Sequence, residues 1–474
     1  MMSLNEALSA SYTDLYQITM GQAYFLSNRH HDKAVFDYFF RKLPFDGGYA
    51  IFAGLDDLMR IIPTLRFSDE DLEFLRKNRF DAGFVDFLRN WRFSGTLYAS
   101  REGDLVFPTR PVLRVEGNIL ETQLIETLLL NILNFQTLVA TKASRVRLAA
   151  GNAVLMDFGL RRAQGLGGYH ATRACIVGGF NSTSNVSAAI DYGIPATGTM
   201  AHSFIQGSES ELAAFRSFSE GRPDDCVLLV DTYNTLKSGV PNAITVAKEM
   251  EARGQRLLAI RLDSGDLAYL AKRSRRMLDE AGLQYVKISA SNQLDEYVVK
   301  SLLDQEAPID IFGVGTNLVT GKPDGALDGV YKLSFFRDKP RIKLSESLSK
   351  TTLPGIKQVY RAMDTNGDFA GADVVALAEE KNVDMMTHPF EAGKSMSLKD
   401  FRLEPLLHKV MENGVPTSES LSLGEIAKFS SIRLALLPAE YKRFHFPHLY
   451  KVGISKGLMK LREEMRSDLK KPMS

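Results

Sequence analysis

The run RLDSGD sets Arg261, Asp263 and Asp266 at the end of an apolar stretch, RLLAIRLD. If that stretch is a strand, alternation sends Arg261 and Asp263 to the same side. A carboxylate there can bind sugar hydroxyls or a hydrated Mg²⁺, and a guanidinium can bind a phosphate or a carboxylate. An internal salt bridge is an equal alternative. A second apolar stretch is followed by DFGLRRAQG, residues 157–165, which offers Phe158 beside Arg161 and Arg162. An aromatic face next to a bidentate anion clamp suits an aromatic acid. His202, in GTMAHSF, is one of only 8 His and is flanked by small or hydroxyl residues that leave room around an imidazole. Standing alone, such a residue is more often structural than catalytic. In FGVGTN, Gly313 and Gly315 with Thr316 form either a tight turn or a place where backbone N–H groups approach an anion. The six-position dinucleotide fingerprint is not completed.

Two other chemistries are weaker. His388, His445 and His448 have no Cys or acidic residue at ligand spacing, which disfavours zinc. Lys287 in YVKIS stands where a Schiff-base lysine of a barrel aldolase would stand, but nothing around it completes that site.

The elements that must position these groups are legible between residues 151 and 336. AVLMDFG, CVLLVD, RLLAIRLD, YVKISAS and IDIFGVG read as buried strands; ITVAKEMEARG, LAYLAKRSRRMLDEAG and LDEYVVKSLLDQ read as intervening helices. Repeated βα units follow, as either a barrel or an open doubly wound sheet. In both, Asp231, Arg261, Asp263, Asp266, Ser289, Ser291, Gly313 and Gly315 lie at the C-terminal strand ends, where ligands bind. Short β-like runs from 34 to 115 predict a sheet-bearing domain, and Leu120, Leu124, Leu128 and Ile132 predict a long helix from Asn118 to Ala150, stopped at Gly151. Residues 1–150 are therefore read as one domain, packed against by 365–474, residues 151–345 as the catalytic domain, and 346–474 as a loop and helical region. KGLMKLREEMRSDLKK, 456–471, reads as a docked amphipathic helix.

Composition narrows the class without choosing the activity. The chain has 474 residues, 45% hydrophobic and 24% charged, with 58 Lys and Arg against 57 Asp and Glu. Disordered, collagen-like and disulfide-scaffold readings are excluded, and a net charge of +1 gives no reason to expect nucleic acid. Cys175 and Cys226 each lie in an apolar run, as small buried side chains do. No secretory signal and no apolar run of about 20 residues is read in the sequence, so a cytoplasmic protein with no membrane partner is expected.

Taken in order, TDLYQITM (13–20), DFGLRRAQG, GGFNSTSNV, GTMAHSF, DTYNT, RLDSGDL, SASNQLDEY, FGVGTNLVT and TLPGIKQVYR (352–361) resemble the nicotinate phosphoribosyltransferases. The resemblance implies an irregular α/β barrel of the type II phosphoribosyltransferase fold with an open-faced α+β sandwich domain. It also implies a reaction: nicotinate and 5-phosphoribosyl 1-pyrophosphate give nicotinate mononucleotide and pyrophosphate in NAD salvage, helped by ATP hydrolysis and Mg²⁺. Homodimers with shared active sites are expected. By motif, His202 is the residue phosphorylated by ATP and Asp231 orients its imidazole. Phe158, with Tyr16 of the partner subunit, sandwiches the pyridine ring, and Arg161 holds the carboxylate. Arg261 lies beside the ring and phosphoribosyl group, and Asp263 contacts ribose or Mg²⁺. Gly313, Gly315 and Thr316 receive the 5-phosphate; Lys343, Lys357 and, more weakly, Lys350 contact pyrophosphate. The nicotinamide-using relatives carry an Asp where GGFNSTSNV has only Ser, Thr and Asn, so the resemblance favours the acid as substrate; GTMAHSF argues against a quinolinate enzyme.

Overall fold

A computed structural model describes residues 8–345, 351–391, 393–417 and 419–470. The chain forms two compact units, one of residues 1–141 with 326–474 and the other of residues 142–325.

In the second unit six strands run parallel, in the order Ser182–Thr183, Val154–Asp157, Ile311–Val314, Lys287–Ser291, Ala259–Leu262, Val227–Leu229. Each strand neighbours the one before or after it in the chain, and the last, Ile311–Val314, pairs with the first, Val154–Asp157. That is the cycle of a barrel rather than a doubly wound sheet, in which the order reverses at a switch point. The cycle has one open seam, because Ser182–Thr183 and Val227–Leu229 are the two sheet edges. This is the irregular α/β barrel. The helices fall where the apolar periodicity put them, at Val240–Ala252, Leu267–Glu280 and Glu296–Asp304. Asp266 and Asp295 start the last two by accepting the backbone N–H of Tyr269 and of Tyr297 and Val298, respectively.

The first unit holds two larger sheets. One has seven strands and includes Lys33–Phe40 bonded antiparallel to Leu113–Asn118 and to Gly329–Phe336. Its core buries Phe40, Phe52 and Phe84 completely, each contributing about 1.5–3 kcal/mol of transfer free energy. The expected long helix is two: Ile119–Leu124, opened by a reciprocal capping box between Asn118 and Glu121, and Glu126–Ala150, after which Gly151 takes a left-handed φ of 56°.

The C-terminal region departs from its reading as loop and helix. Lys357–Met363, Phe369–Leu377, Arg402–Pro405 and Lys451–Ser455 belong to a six-stranded sheet, and among the described residues of this region the long helices are Leu423–Leu436 and Lys456–Lys470. The burial of Lys357–Met363 alternates over its first half and then becomes continuous, the pattern of a strand covered on both faces at one end. Gly329–Phe336, placed by sequence in the catalytic domain, pairs instead with Lys33–Phe40. No helix among the described residues is long and apolar enough to cross a membrane.

Candidate active site

Ala259–Leu262 carries Arg261 one residue before its end, and the side chain is largely withdrawn from solvent. One terminal nitrogen donates to the Thr199 hydroxyl at 2.5 Å and the other to the Met200 carbonyl at 3.2 Å, so the guanidinium ties down the loop that carries His202. Burial lowers the pKa of Arg261 below the ordinary guanidinium range; Asp263 and Asp231 oppose this and Arg161 adds to it. Its Nε is buried and unpartnered.

His202 opens the short helix His202–Gln206 and is partly exposed. Its Nε2 faces Asp263 Oδ2 at 3.8 Å. Its Nδ1 lies 3.0 Å from the Thr232 hydroxyl. Asp231, expected to orient this ring, is turned elsewhere: its Oδ2 accepts the Asp263 N–H at 2.9 Å and the Ser264 hydroxyl at 2.5 Å. The other oxygen, Oδ1, is buried without a partner. Asp263 is oriented in turn by Ser291, whose hydroxyl donates to Oδ1 at 2.5 Å and leaves Oδ2 toward the imidazole. Behind it, Asn292 and Gln293 both adopt left-handed backbone, and the Asn292 amide donates to the Asp263 carbonyl at 3.0 Å. Two non-glycine residues in that region are costly, of order 1–3 kcal/mol each, and such strain clusters at functional sites.

The Phe158–Arg162 turn follows the strand Val154–Asp157, which is separated from Lys287–Ser291 by Ile311–Val314. Phe158 N–H donates to the Val314 carbonyl at 2.9 Å, and the ring lies over Gly313, where a Cβ would come within 2.5 Å of two ring carbons. Gly313 thus makes room for an aromatic ring, a role that its reading as a phosphate approach did not foresee. Arg161 and Arg162 are exposed just beyond, in the single 3₁₀ turn Leu160–Arg162, and Thr316 is exposed after Gly315. Lys287 sits at the opposite, N-terminal end of its strand and is exposed there, which removes the positional basis of the aldolase reading.

Cationic, carboxylate, imidazole and aromatic groups therefore cluster at the C-terminal ends of neighbouring parallel strands, an arrangement suited to a phosphorylated sugar and an aromatic acid. Residues 153–394 match the nicotinate phosphoribosyltransferase (NAPRTase) family model, and residues 12–134 and 356–462 match its N-terminal and C-terminal domain models. The chain belongs to the nicotinate phosphoribosyltransferase family. A Bacillus subtilis nicotinate phosphoribosyltransferase is 42% identical over 94% of this chain and 92% of that one, and a Dictyostelium discoideum nicotinate phosphoribosyltransferase is 38% identical over 96% and 88%. The crystal structure of human nicotinic acid phosphoribosyltransferase superposes with a TM-score of 0.86 at 32% identity, covering 96% of this chain and 99% of that one. A Pyrococcus furiosus nicotinate-nucleotide pyrophosphorylase structure, at 24% identity over 91% and 96% of the two chains, shares the fold with a TM-score of 0.71.

The remaining residues that the nicotinate phosphoribosyltransferase resemblance singled out lie in the first unit. Tyr16 is about half exposed on the helix Leu15–Leu26, and Lys343 is exposed. Lys357 is not available in the way expected. Its ammonium is buried against Asp37 at 2.8 Å and donates to the carbonyls of Leu353 at 2.9 Å and Gly355 at 2.5 Å, so all three protons have protein acceptors. That is the correction to its proposed pyrophosphate contact. Lys350 lies outside the described residues. Sequence reading missed Thr232, adjacent to a residue it did select, and Asp157, a carboxylate abutting an apolar strand in the same way as Asp231. The rule that found Asp231 would have found Asp157.

Proposed function

We propose that this family member joins nicotinate to 5-phosphoribosyl 1-pyrophosphate, forming nicotinate mononucleotide and pyrophosphate in NAD salvage, as an ATP-hydrolysing, ligase-type enzyme. The observation that carries this reading is the placement of Asp231, Arg261 and Asp263 at the ends of two neighbouring parallel strands, with His202 brought to Asp263 from the start of its short helix and the Phe158–Arg161 turn following another strand of the same sheet. Phe158 offers one face to the pyridine ring and Arg161 its guanidinium to the carboxylate; Tyr16 of a partner subunit supplies the second face in a homodimer. The 5-phosphate falls to Gly313, Gly315 and Thr316, and Lys343 remains the exposed candidate for pyrophosphate.

As pyrophosphate departs, positive charge develops at the ribose C1 and ring oxygen, and the pyridine nitrogen attacks from the opposite face with its own lone pair. No general base is needed, so alignment and neutralisation of the leaving group supply the catalysis. Asp231 and Asp263 fit a hydrated magnesium ion. Asp231 keeps a buried, unpartnered oxygen and Asp263 an oxygen, Oδ2, whose neighbour is the His202 imidazole at 3.8 Å, and magnesium is commonly held by one or two carboxylates together with substrate phosphates. When bound, the ion would neutralise phosphate charge. ATP enters through His202: an imidazole nitrogen forms a bond to the γ-phosphorus as the bond to ADP breaks, and water later cleaves the phosphoramidate. A cytoplasmic location fits these substrates.

The test is pyrophosphate release with nicotinate, nicotinamide and quinolinate, each with and without ATP, beside labelling with γ-labelled ATP. The expected result is release with nicotinate, stimulated by ATP, and acid-labile label on wild type that is absent from His202→Ala. Undiminished label on that variant sinks the phosphohistidine assignment.

A further inference from the structure

Asp157 ends the strand Val154–Asp157 and is 1% exposed, yet no step proposed above uses it. Its Oδ1 accepts the Gly159 N–H at 2.8 Å, a side-chain turn across two residues. Its Oδ2 accepts the hydroxyl of Thr172, from the helix Gly167–Val177, at 2.7 Å, and that of Thr183, from the edge strand Ser182–Thr183, at 2.9 Å. The Thr183 hydroxyl accepts in turn from Asn185 N–H at 3.0 Å, and the Asp157 carbonyl accepts from Ser184 N–H at 2.9 Å. A turn, a helix and a strand therefore converge on one carboxylate, and Phe158 and the 3₁₀ turn carrying Arg161 follow it directly.

We propose that Asp157 is a positioning residue of the aromatic-acid subsite, its carboxylate fixing the turn that presents Phe158 and Arg161. The inference rests on the reading of those two residues as the nicotinate contacts. Burial raises this carboxyl above the ordinary value, and the three donors that oppose the rise are all uncharged. A buried carboxylate met only by neutral donors is an expensive way to close a loop, since a buried charge costs several kcal/mol unless compensated. What the carboxylate offers is acceptor capacity: it accepts three hydrogen bonds at once, from a turn, a helix and an edge strand, with no hydrogen of its own to place. Asparagine keeps the shape but, with its oxygen on the Gly159 N–H, turns two hydrogens toward the Thr172 and Thr183 hydroxyls, which must then rotate and give up the bonds that tie helix and strand to this turn. The consequence falls on Phe158, whose ring sits against Gly313 with no slack, and on Arg161 three residues further.

The experiment compares wild type, Asp157→Asn, Thr183→Val and Thr183→Ser in steady-state kinetics with each substrate varied, alongside melting temperatures. Asp157→Asn is expected to raise the nicotinate KM about tenfold or more, with the phosphoribosyl pyrophosphate KM within about twofold. Thr183→Val should raise the nicotinate KM by about two- to fivefold and Thr183→Ser should restore it, so the question remains decidable if Asp157→Asn does not fold. Parallel rises in both constants with a lowered melting temperature overturn the inference in favour of general loosening. Wild-type nicotinate constants in the variants, in an enzyme that does turn over nicotinate, overturn this inference alone. A wild type that releases no pyrophosphate with nicotinate overturns the functional reading and this inference with it.

Discussion

Arg361 in the first unit and Arg261 in the second are the same side chain in opposite circumstances. Arg361 is fully buried with every nitrogen engaged: Nε on Asp373 at 3.0 Å, one terminal nitrogen on Asp104 at 2.9 Å, the other on the Leu105 carbonyl at 2.7 Å and Asp373 at 3.2 Å. Arg433 completes the cluster through Asp104 and Glu404, Arg110 through Asp373, and the Tyr450 hydroxyl donates to Asp373 at 2.8 Å. Arg261 has neutral acceptors and an unpartnered Nε, near a carboxylate, Asp231, that also keeps an unpartnered oxygen. Three cations and three carboxylates gathered around Arg361, Asp104 and Asp373, each of these met by opposite charge, make scaffold. Charges held in place but left short of partners are what a charged ligand can complete.

The largest effect expected from this contrast is on stability. Arg361→Leu leaves Asp104 and Asp373 buried beside fewer cations and should cost about 3–5 kcal/mol in denaturant unfolding. A loss below about 1 kcal/mol would mean that the cluster is not scaffold. The pH dependence has a sign. Burial pushes the Asp104 carboxyl up, but Arg361, Arg433 and Arg110 hold it net below its ordinary value. Its contribution in wild type is therefore present above the ordinary carboxylate range and lost as pH falls through the lower folded value. Removing Arg361 raises that value, so the gap between variant and wild type should narrow as the solution is acidified, because the stranded Asp104 carboxylate can then protonate.

On the other side of the contrast, Arg161→Ala should leave stability unchanged, because the side chain is exposed. It should instead weaken nicotinate by about ten- to a hundredfold in KM, the range for a lost charged hydrogen-bond pair, while phosphoribosyl pyrophosphate is little affected. Equal losses for both substrates, with a lower melting temperature, would place Arg161 with the scaffold.

The sequence made the second unit legible because a parallel strand is a continuous apolar run and its ligand-bearing residues must follow it, so run and polar terminus are read together. Arg261 and Asp263 came out of that pattern from alternation alone. Barrel closure did not, because it depends on Ile311–Val314 reaching back to Val154–Asp157, a pairing that leaves no local mark. The C-terminal sheet was missed for a related reason: Arg361 and Asp373 sit inside strands, and interrupt the apolar pattern with charges that make sense only once paired across the sheet. Gly313 was seen as a glycine that something approaches, but that the something is Phe158, more than 150 residues earlier, is information only the fold holds.

The smallest effect separates two ways of orienting His202. The resemblance assigns that task to Asp231, whereas the structure sets the Thr232 hydroxyl 3.0 Å from Nδ1 and commits Asp231 Oδ2 to Asp263 and Ser264. A single hydrogen bond of this kind is worth about 0.5–1.5 kcal/mol, so Thr232→Val should slow labelling of His202 by about two- to tenfold, with Thr232→Ser restoring it and stability unchanged. If Thr232→Val labels at the wild-type rate while Asp231→Asn does not, the imidazole turns to Asp231 before it reacts. The unpartnered Asp231 Oδ1 then becomes the acceptor for the imidazole, and the contrast with Arg361 sharpens: the open valence at the strand ends serves the His202 side chain as well as a ligand.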